Sequence, residues 1–277
     1  TNLQYNKYNL LSGFVEKVGD AVYSTSYTYD ADNRPKTVKR DDTHKIALTY
    51  DRLNRVSDRT VTNGSVTYKT AYEYVEGNNG SNGNRTAMVN KLTQSGMNYA
   101  YGYDDAGRIV SEQRGTEAAV TYAYDGLGQL LRVNDKQDTT AGSNGTTWVY
   151  RYDLGGNIQE KSAYNYTTGT VSGAPASSMS FAYDSSWKDK LYSINGQRIQ
   201  SDAIGNTTND GTWSYTWRAG RQLAGMSKSG TTIAYKYDSN GLRTQKKVGT
   251  AVTEYTLHGK LLTHLKKGSD ELHFYYD

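Results

Sequence analysis

The sequence predicts an all-β protein built of repeated β-hairpins wound into a curved or spiral sheet. Three observations carry that prediction: a short aromatic motif ending in Tyr-Asp recurs along the 277 residues, 26 residues are tyrosine, and 28 glycines stand against two prolines. Tyrosine and threonine favour strands, and glycine admits the left-handed backbone that tight turns need. Helical heptads, and capping boxes followed by amphipathic stretches, are not evident.

The motif reads as an aromatic residue or leucine, any residue, then Tyr-Asp. Its eight copies end at Asp30, Asp51, Asp104, Asp125, Asp153, Asp184, Asp238 and Asp277. Residues two apart share a face of a strand. Tyr27 with Tyr29, Tyr101 with Tyr103, Tyr122 with Tyr124, Tyr150 with Tyr152, and Tyr235 with Tyr237 are therefore expected to form rungs of an aromatic ladder, joined by Tyr50 and Tyr183 in the other copies. Each aspartate ends its strand, where the carboxylate can accept the backbone N–H two residues on. Three places later Gly107, Gly128, Gly156 and Gly241, or Asn33 and Asn54, supply the positive φ that reverses the chain, while the Asp184 copy carries Trp187 there. Return strands follow, such as RIVSEQ from Arg108, QLLRV from Gln129 and NIQEKSAY from Asn157, and their apolar residues alternate less strictly than the tyrosines do.

Weaker copies fill the gaps: DAIGN at Asp202–Asn206, YTWRAGRQL at Tyr215–Leu223, and YEYVEGNNG from Tyr72, where Val75 replaces the aspartate. A step of about twenty residues has room for two strands of about five residues and two turns. Longer steps hold insertions such as DTTAGSNGTT at Asp138–Thr147, read as loops. About two dozen strands exceed the roughly ten that an open twisted sheet carries before it curls or splits. The sheet must therefore wind, because exposed edges template aggregation. Residues 1–277 read as a single repeat array cut at both ends from a longer polypeptide, which predicts open edge strands at Tyr5 and Tyr276 and self-association through them.

Composition supports this reading and removes others. Leu, Ile, Val and Phe make up 44 of the 277 residues, below the roughly 20% that accompanies disorder when net charge is high. The net charge is only +4, so the second condition fails. Tyrosine rings supply the missing apolar area while their hydroxyls keep polar partners, which suits a thin sheet or a wall wetted on one side. With no cysteine, disulfides and thiolate chemistry are excluded. No apolar run reaches the roughly 18 residues of a membrane helix, so no membrane insertion is expected. The 32 basic residues are scattered among 28 acidic ones, without the stripe of charge that nucleic-acid binding requires.

The motif Y-x-Y-D-x-x-G-R, repeated about every twenty residues, resembles the RHS or YD-repeat family of bacterial polymorphic toxins, related to the shells of toxin-complex proteins and of teneurins. The resemblance runs from YNLLSGFVEKVGD at Tyr8 to FYYD at Phe274. FAYDSSWKDKL, DAIGN, YTWRAGRQL and YKYDSNGLRTQKK are similar to the stretch that precedes the family's core segment. What the resemblance implies is a spiral β-sheet shell enclosing a C-terminal toxin, secreted or on the bacterial cell surface. It also implies that the core segment and its autocleavage motifs begin near Asp277, so no release chemistry falls on residues of this chain.

Chemical alternatives are weaker. An aspartate repeated once per hairpin is placed somewhere new each time, whereas catalysis needs two carboxyls in different environments and calcium needs six to eight oxygens gathered at one point. DADN at Asp30–Asn33 lacks the later ligands of a calcium loop. His44, His258, His264 and His273 match no zinc spacing and read as exposed strand residues. GMSKSG at Gly225–Gly230 misses the nucleophile elbow by one place, and no phosphate-binding glycine loop occurs. No enzyme, metal or cofactor is expected. Two functions remain: a shell segment that encloses or displays a cargo, with the rest of its own polypeptide as partner, and an adhesive module for glycans. Trp148, Trp187, Trp213 and Trp217 break the rhythm of the repeat and are the residues to watch for the second.

Overall fold

In the computed structural model, residues 2–76, 86–274 and 276 are described. The described residues form 26 strands and no helix. The eighth motif aspartate, Asp277, and the Gly77–Gly80 end of YEYVEGNNG lie outside them. The chain divides into two compact units, Thr1–Tyr122 and Ala123–Phe274.

The first unit contains β1 (Asn2–Tyr5), β2 (Leu11–Val18), β3 (Ala21–Tyr29), β4 (Pro35–Asp41), β5 (His44–Tyr50), β6 (Val56–Asn63), β7 (Val66–Tyr74), β8 (Val89–Gln94), β9 (Met97–Tyr103), β10 (Ile109–Arg114) and the start of β11 (Val120–Tyr124). Each strand pairs antiparallel with the next in sequence. The second unit carries β12 (Leu130–Asp135), β13 (Thr146–Tyr152), β14 (Ile158–Asn165), β15 (Ser177–Tyr183), β16 (Leu191–Ile194) and β17 (Gln197–Arg198) as one antiparallel meander. A second meander in that unit runs through β18 (Gln200–Ser201), β19 (Thr207–Asn209), β20 (Ser214–Arg218), β21 (Gln222–Lys228), β22 (Thr231–Tyr237), β23 (Arg243–Val248), β24 (Ala251–His258), β25 (Leu261–Lys267) and β26 (Asp270–His273). Tyr276 lies beyond β26 rather than in a strand, so the edge expected there falls at Asp270–His273.

Two kinds of turn alternate. Aspartate turns close one end of the hairpins, and at the other end two-residue links join Val18 to Ala21, Asn63 to Val66, Gln94 to Met97, Lys228 to Thr231 and Val248 to Ala251. Four of these short links open on a residue with positive φ, such as Gly19 at 60° and Gly249 at 57°, the backbone whose twist matches that of the flanking strands, and the Lys228–Thr231 link has it at its second residue, Gly230 at 71°.

The second residue of the return strand is skipped in the ladder. Thr28 faces Thr37 while Tyr29 faces Pro35, Thr49 faces Asp58 while Tyr50 faces Val56, and Lys236 faces Gln245 while Tyr237 faces Arg243. Such bulges leave one residue unpaired and raise the local twist. They also shift the side-chain phase of the return strand by one. That shift explains why the apolar residues after each turn do not alternate as the tyrosines before it do.

The face carrying the tyrosines is half-buried and the opposite face is wet, as the strict alternation along β22 illustrates. In the first unit the core is a row across adjacent strands: Tyr27 faces Val38, Val38 faces Ile46, and Ile46 faces Val61. Val38, Ile46 and Leu48 are buried, with Tyr50 and Val56 packed against them. In the second unit the insertion DTTAGSNGTT is a loop as far as Gly145, but its last two residues, Thr146 and Thr147, open β13, and the loop folds back on the sheet. Asp138 receives Trp148 Nε1–H at 2.6 Å and its carbonyl receives Thr146 Oγ1–H at 2.7 Å, so that Thr146 and Thr147 are buried threonines with satisfied hydroxyls.

Because the first unit's core is one row thick, Ile46→Ala removes its middle; a loss of about 2–5 kcal/mol is expected in urea unfolding, the range for large-to-small core substitutions. Leu261→Ala, at an exposed strand position, should stay within about 0.5 kcal/mol of the parent.

Candidate functional site

The feature that recurs is the aspartate turn. At Asp30, Asp51, Asp104, Asp125, Asp153, Asp202 and Asp238 the aspartate N–H donates to the carbonyl four residues on at 2.9–3.0 Å. The N–H three residues on returns to the aspartate carbonyl at 2.9–3.2 Å. One carboxylate oxygen, Oδ1, then accepts two backbone N–H groups, from the second and the fourth following residues, at 2.8–3.1 Å. Sequence reasoning anticipated the first of these acceptances and missed the second. Asn33, Asn54, Gly107, Gly128, Gly156 and Gly241 all have φ between 62° and 89°, the backbone that closes the turn.

The same geometry reveals a copy that the search for Tyr-Asp passed over. Asn6 follows Tyr5 and accepts the N–H groups of Tyr8 and Leu10 through Oδ1 at 2.9 and 3.0 Å, with Asn9 at φ 60°. An amide oxygen can do what the carboxylate oxygen does here. The Asp184 turn departs in the other direction. Its N–H reaches Lys190, six residues on, and Oδ1 accepts from Ser186 and Trp187. The turn is therefore two residues longer, and the cation that returns to the aspartate is Lys190 at 3.2 Å, not the adjacent Lys188.

In five of these turns the other carboxylate oxygen, Oδ2, binds the side chain four residues on. Arg34, Arg55 and Arg108 donate Nε–H to Oδ2 of Asp30, Asp51 and Asp104 at 2.6–2.7 Å, and Asn157 and Asn206 do so by amide to Asp153 and Asp202. Those side chains also reach onward. Arg34 donates to Asn54 Oδ1 at 2.6 Å and lies 4.5 Å from the ring centre of Tyr50, Arg55 stands 4.3 Å from that of Tyr74, and Asn206 donates to the Gly220 carbonyl at 2.7 Å. At these three positions the side chain ties its turn to a neighbouring segment of the sheet. The Arg34 side chain bonded to Asp30 holds the carboxyl of Asp30 below the usual range. Backbone N–H donation from Arg108 does the same to Asp104, the Asn157 amide to Asp153, and the Trp187 N–H to Asp184.

The second tyrosine of the motif makes a third tie. Tyr29, Tyr50, Tyr103, Tyr152, Tyr183 and Tyr237 donate O–H to the carbonyls of Leu11, Pro35, Val89, Leu130, Ile158 and Leu223 at 2.7–3.0 Å, on the strand before their own. Tyr74 keeps this bond, to Val56, although Val75 follows it. The first tyrosine has other contacts: Tyr27 lies 6.4 Å from the Phe14 ring, Tyr101 faces Glu112 across the ladder, Tyr122 donates to Glu112 at 3.4 Å, Tyr150 lies under Lys161 and Tyr235 under Arg243. Tyr124 occupies the second-tyrosine position of β11. Burial raises the hydroxyl pKa of Tyr27, Tyr103, Tyr150 and Tyr183.

The remaining candidates resolve as follows. Asp32 of DADN is bonded to Arg34 at 3.1 Å and the segment is a turn. GMSKSG lies on β21 and its two-residue link. His44 pairs with Asp41 at 2.9 Å. The expectation of exposed strand histidines fails: His44, His258 and His273 are half-buried, and His264 is 2% exposed. It faces His273 across β25 and β26, with Nε2 of the first 2.6 Å from Nδ1 of the second. Their spacing of nine residues hides a direct cross-strand pairing that only register discloses. Trp148, Trp213 and Trp217 are engaged by Asp138, Lys228 and the Thr207 carbonyl.

No family model matches the chain. Over 242 residues it is 28% identical to the tRNA3(Ser)-specific nuclease WapA of Bacillus spizizenii, covering 72% of this chain and 10% of the relative. It is also 30% identical over 145 residues to the tRNA nuclease WapA of Bacillus subtilis (strain 168), covering 51% of this chain and 6% of that protein. These matches support the resemblance to the RHS/YD-repeat family that the repeated motif carries. The chain spans a tenth or less of the length of the WapA relatives it matches. Among solved structures, TcdB2-TccC3-Cdc42 aligns with 95% of this chain and 15% of its own at a TM-score of 0.45 and 15% identity. TcdB2-TccC3 aligns with 95% and 17% at a TM-score of 0.40 and 14% identity.

Two measurements probe this geometry. Tyr152→Phe deletes one inter-strand hydroxyl bond and should cost about 1 kcal/mol in denaturant unfolding. The depressed aspartates also set a pH window: their folded pKa lies below the unfolded value near 3.8, so their contribution is full above about pH 5 and fades as pH falls through the folded values. Thermal midpoints should hold from pH 7 to 5 and drop below pH 4, with Asp104→Asn showing a shallower drop.

Proposed function

We propose that this chain is a non-enzymatic shell segment of an RHS/YD-repeat protein, one that encloses or displays a C-terminal toxin or effector joined to it in the same polypeptide. The observation that carries the reading is the commitment of the repeated carboxylates: each binds two backbone N–H groups of its own turn. A carboxylate so held below its usual range serves as a fixed acceptor and is a poor proton shuttle, because general acid–base work is most efficient with a pKa near the working pH. The nuclease names of the WapA relatives fit this reading when the chemistry belongs to the nine-tenths of their length that this chain does not match. Export to the cell surface or the medium fits the same reading. No helix among the described residues is long and apolar enough to cross a membrane. Self-association through β26 is a further part of the proposal, since an edge strand offers unpaired N–H and C=O groups.

The purified 277-residue chain should leave bacterial tRNA uncut in a gel assay with divalent cation present. Cleavage by the chain, abolished by substituting one of its own carboxylates, would overturn the non-enzymatic reading. In the intact polypeptide, opening the repeats with paired Asp104→Ala and Asp153→Ala substitutions should expose the C-terminal cargo to added protease. Equal protease resistance of parent and variant, with the repeats shown to be disrupted, would overturn enclosure.

A further inference from the structure

One turn departs from the repeat in a way the architecture does not require. At Asp184 the chain is two residues longer and carries an aromatic residue where the seven regular turns have glycine or asparagine. The extension carries Trp187 to the neighbouring Asp202 turn. There Gly205, at φ 87°, leaves room for the indole: a Cβ at that position would lie 2.6 Å from Trp187 Cη2. Trp187 is 42% exposed all the same. Trp148 and Trp217 spend their indole N–H on Asp138 and on the Thr207 carbonyl, whereas Trp187 Nε1 makes no hydrogen bond to the described residues.

Beside this ring the second unit has an open cavity of about 270 Å³, bordered by Trp187, Asp189, Ser201, Ile204, Thr207 and Arg221. That is just under the roughly 300–1,000 Å³ of sites for drug-sized ligands, so it suits one small ring at a time. Its polar groups are mixed: a carboxylate, a guanidinium and two hydroxyls around one aromatic wall. Lys190 also borders it, but its charge is taken up by Asp184 at 3.2 Å and it lies 5.5 Å from the centre of the Trp187 ring. The remaining charges, Asp189 and Arg221, balance, and Arg221 is steadied by a bond from Nη2 to the Ile204 carbonyl at 3.1 Å.

An aromatic face beside balanced donors and acceptors matches the chemistry of a neutral saccharide ring, which offers an apolar C–H face and a rim of hydroxyls. A phosphate or carboxylate ligand would call for an excess of positive charge, which the pairing of Lys190 with Asp184 removes. We propose that the Trp187 turn and the Asp202 turn form a binding site for a neutral sugar residue, stacked on Trp187 and hydrogen-bonded by Asp189 and Arg221. The site goes beyond the shell reading and does not rest on it: a shell wall can bear such a site, and an adhesive module can as well.

The test uses the 277-residue chain with glucose, galactose, N-acetylglucosamine, cellobiose and chitobiose as neutral probes and inorganic phosphate as the anionic one. Binding is followed by tryptophan fluorescence and by saturation transfer from protein to sugar protons. At least one neutral sugar should bind near 1 mM, with Trp187→Ala weakening it about tenfold or more, a change near 1.4 kcal/mol. Trp187→Phe should retain part of the affinity, and Asp189→Asn and Arg221→Gln should each reduce it in protein whose circular dichroism matches the parent. Gly205→Ala, which displaces the ring, should weaken binding without touching any polar partner, and Trp213→Phe should leave it unchanged. The proposal is overturned if no neutral probe binds at concentrations up to about 50 mM, if binding survives Trp187→Ala, or if phosphate binds in place of the sugars. None of these outcomes depends on whether the repeats enclose a cargo, so the sugar site and the shell reading stand or fall separately.

Discussion

Everything regular in this protein depends on a single oxygen per repeat. Oδ1 of each motif aspartate accepts two backbone N–H groups of the turn that follows it, at 2.8–3.1 Å in seven turns. Those N–H groups sit where the chain reverses and the ladder cannot supply partners, and an unpartnered polar group away from water is costly. The oxygen fixes the loop length, the loop length fixes where the return strand begins, and the bulge one residue later re-aims its side chains. Asn6 reproduces the arrangement with an amide, which identifies the acceptor geometry as the essential requirement.

A thin sheet has few apolar residues to bury, and here the shortfall is made up laterally. The tyrosine hydroxyl reaches back to the preceding strand, while at Arg34 and Asn206 the side chain four after the aspartate reaches forward to the next turn. Each repeat is therefore bonded to its neighbours by side chains as well as by the ladder. This is the economy of a repeat protein, in which stability is a sum of unit and nearest-neighbour terms. It also explains how a chain poor in Leu, Ile, Val and Phe stays ordered: a tyrosine contributes ring area and a directed hydrogen bond together.

Two departures from the repeat lie in the second unit. The Asp138–Thr147 insertion folds onto the sheet and buries Thr146 and Thr147, and the Asp184 turn grows by two residues and lays Trp187 against Gly205. Both changes occur in loops, where length varies at small entropic cost. The strands on either side keep the tyrosine tie, as Tyr152 and Tyr183 do.

The local chemistry was legible in the sequence. The all-β class, the hairpin unit, the aspartate as turn acceptor and the glycine or asparagine that reverses the chain all involve residues within four positions of each other, and their spacing alone dictates the geometry. What the tertiary structure decided lies across strands. The partner of each tyrosine hydroxyl, the bulge that shifts the return strand, the pairing of His264 with His273 and the placement of Trp187 over Gly205 are matters of register and of side-chain reach between segments 9 to 25 residues apart. Residue type restricts such contacts without selecting among them. The selection comes from the hydrogen-bonded ladder, which sets distant residues side by side only once the hairpins have formed.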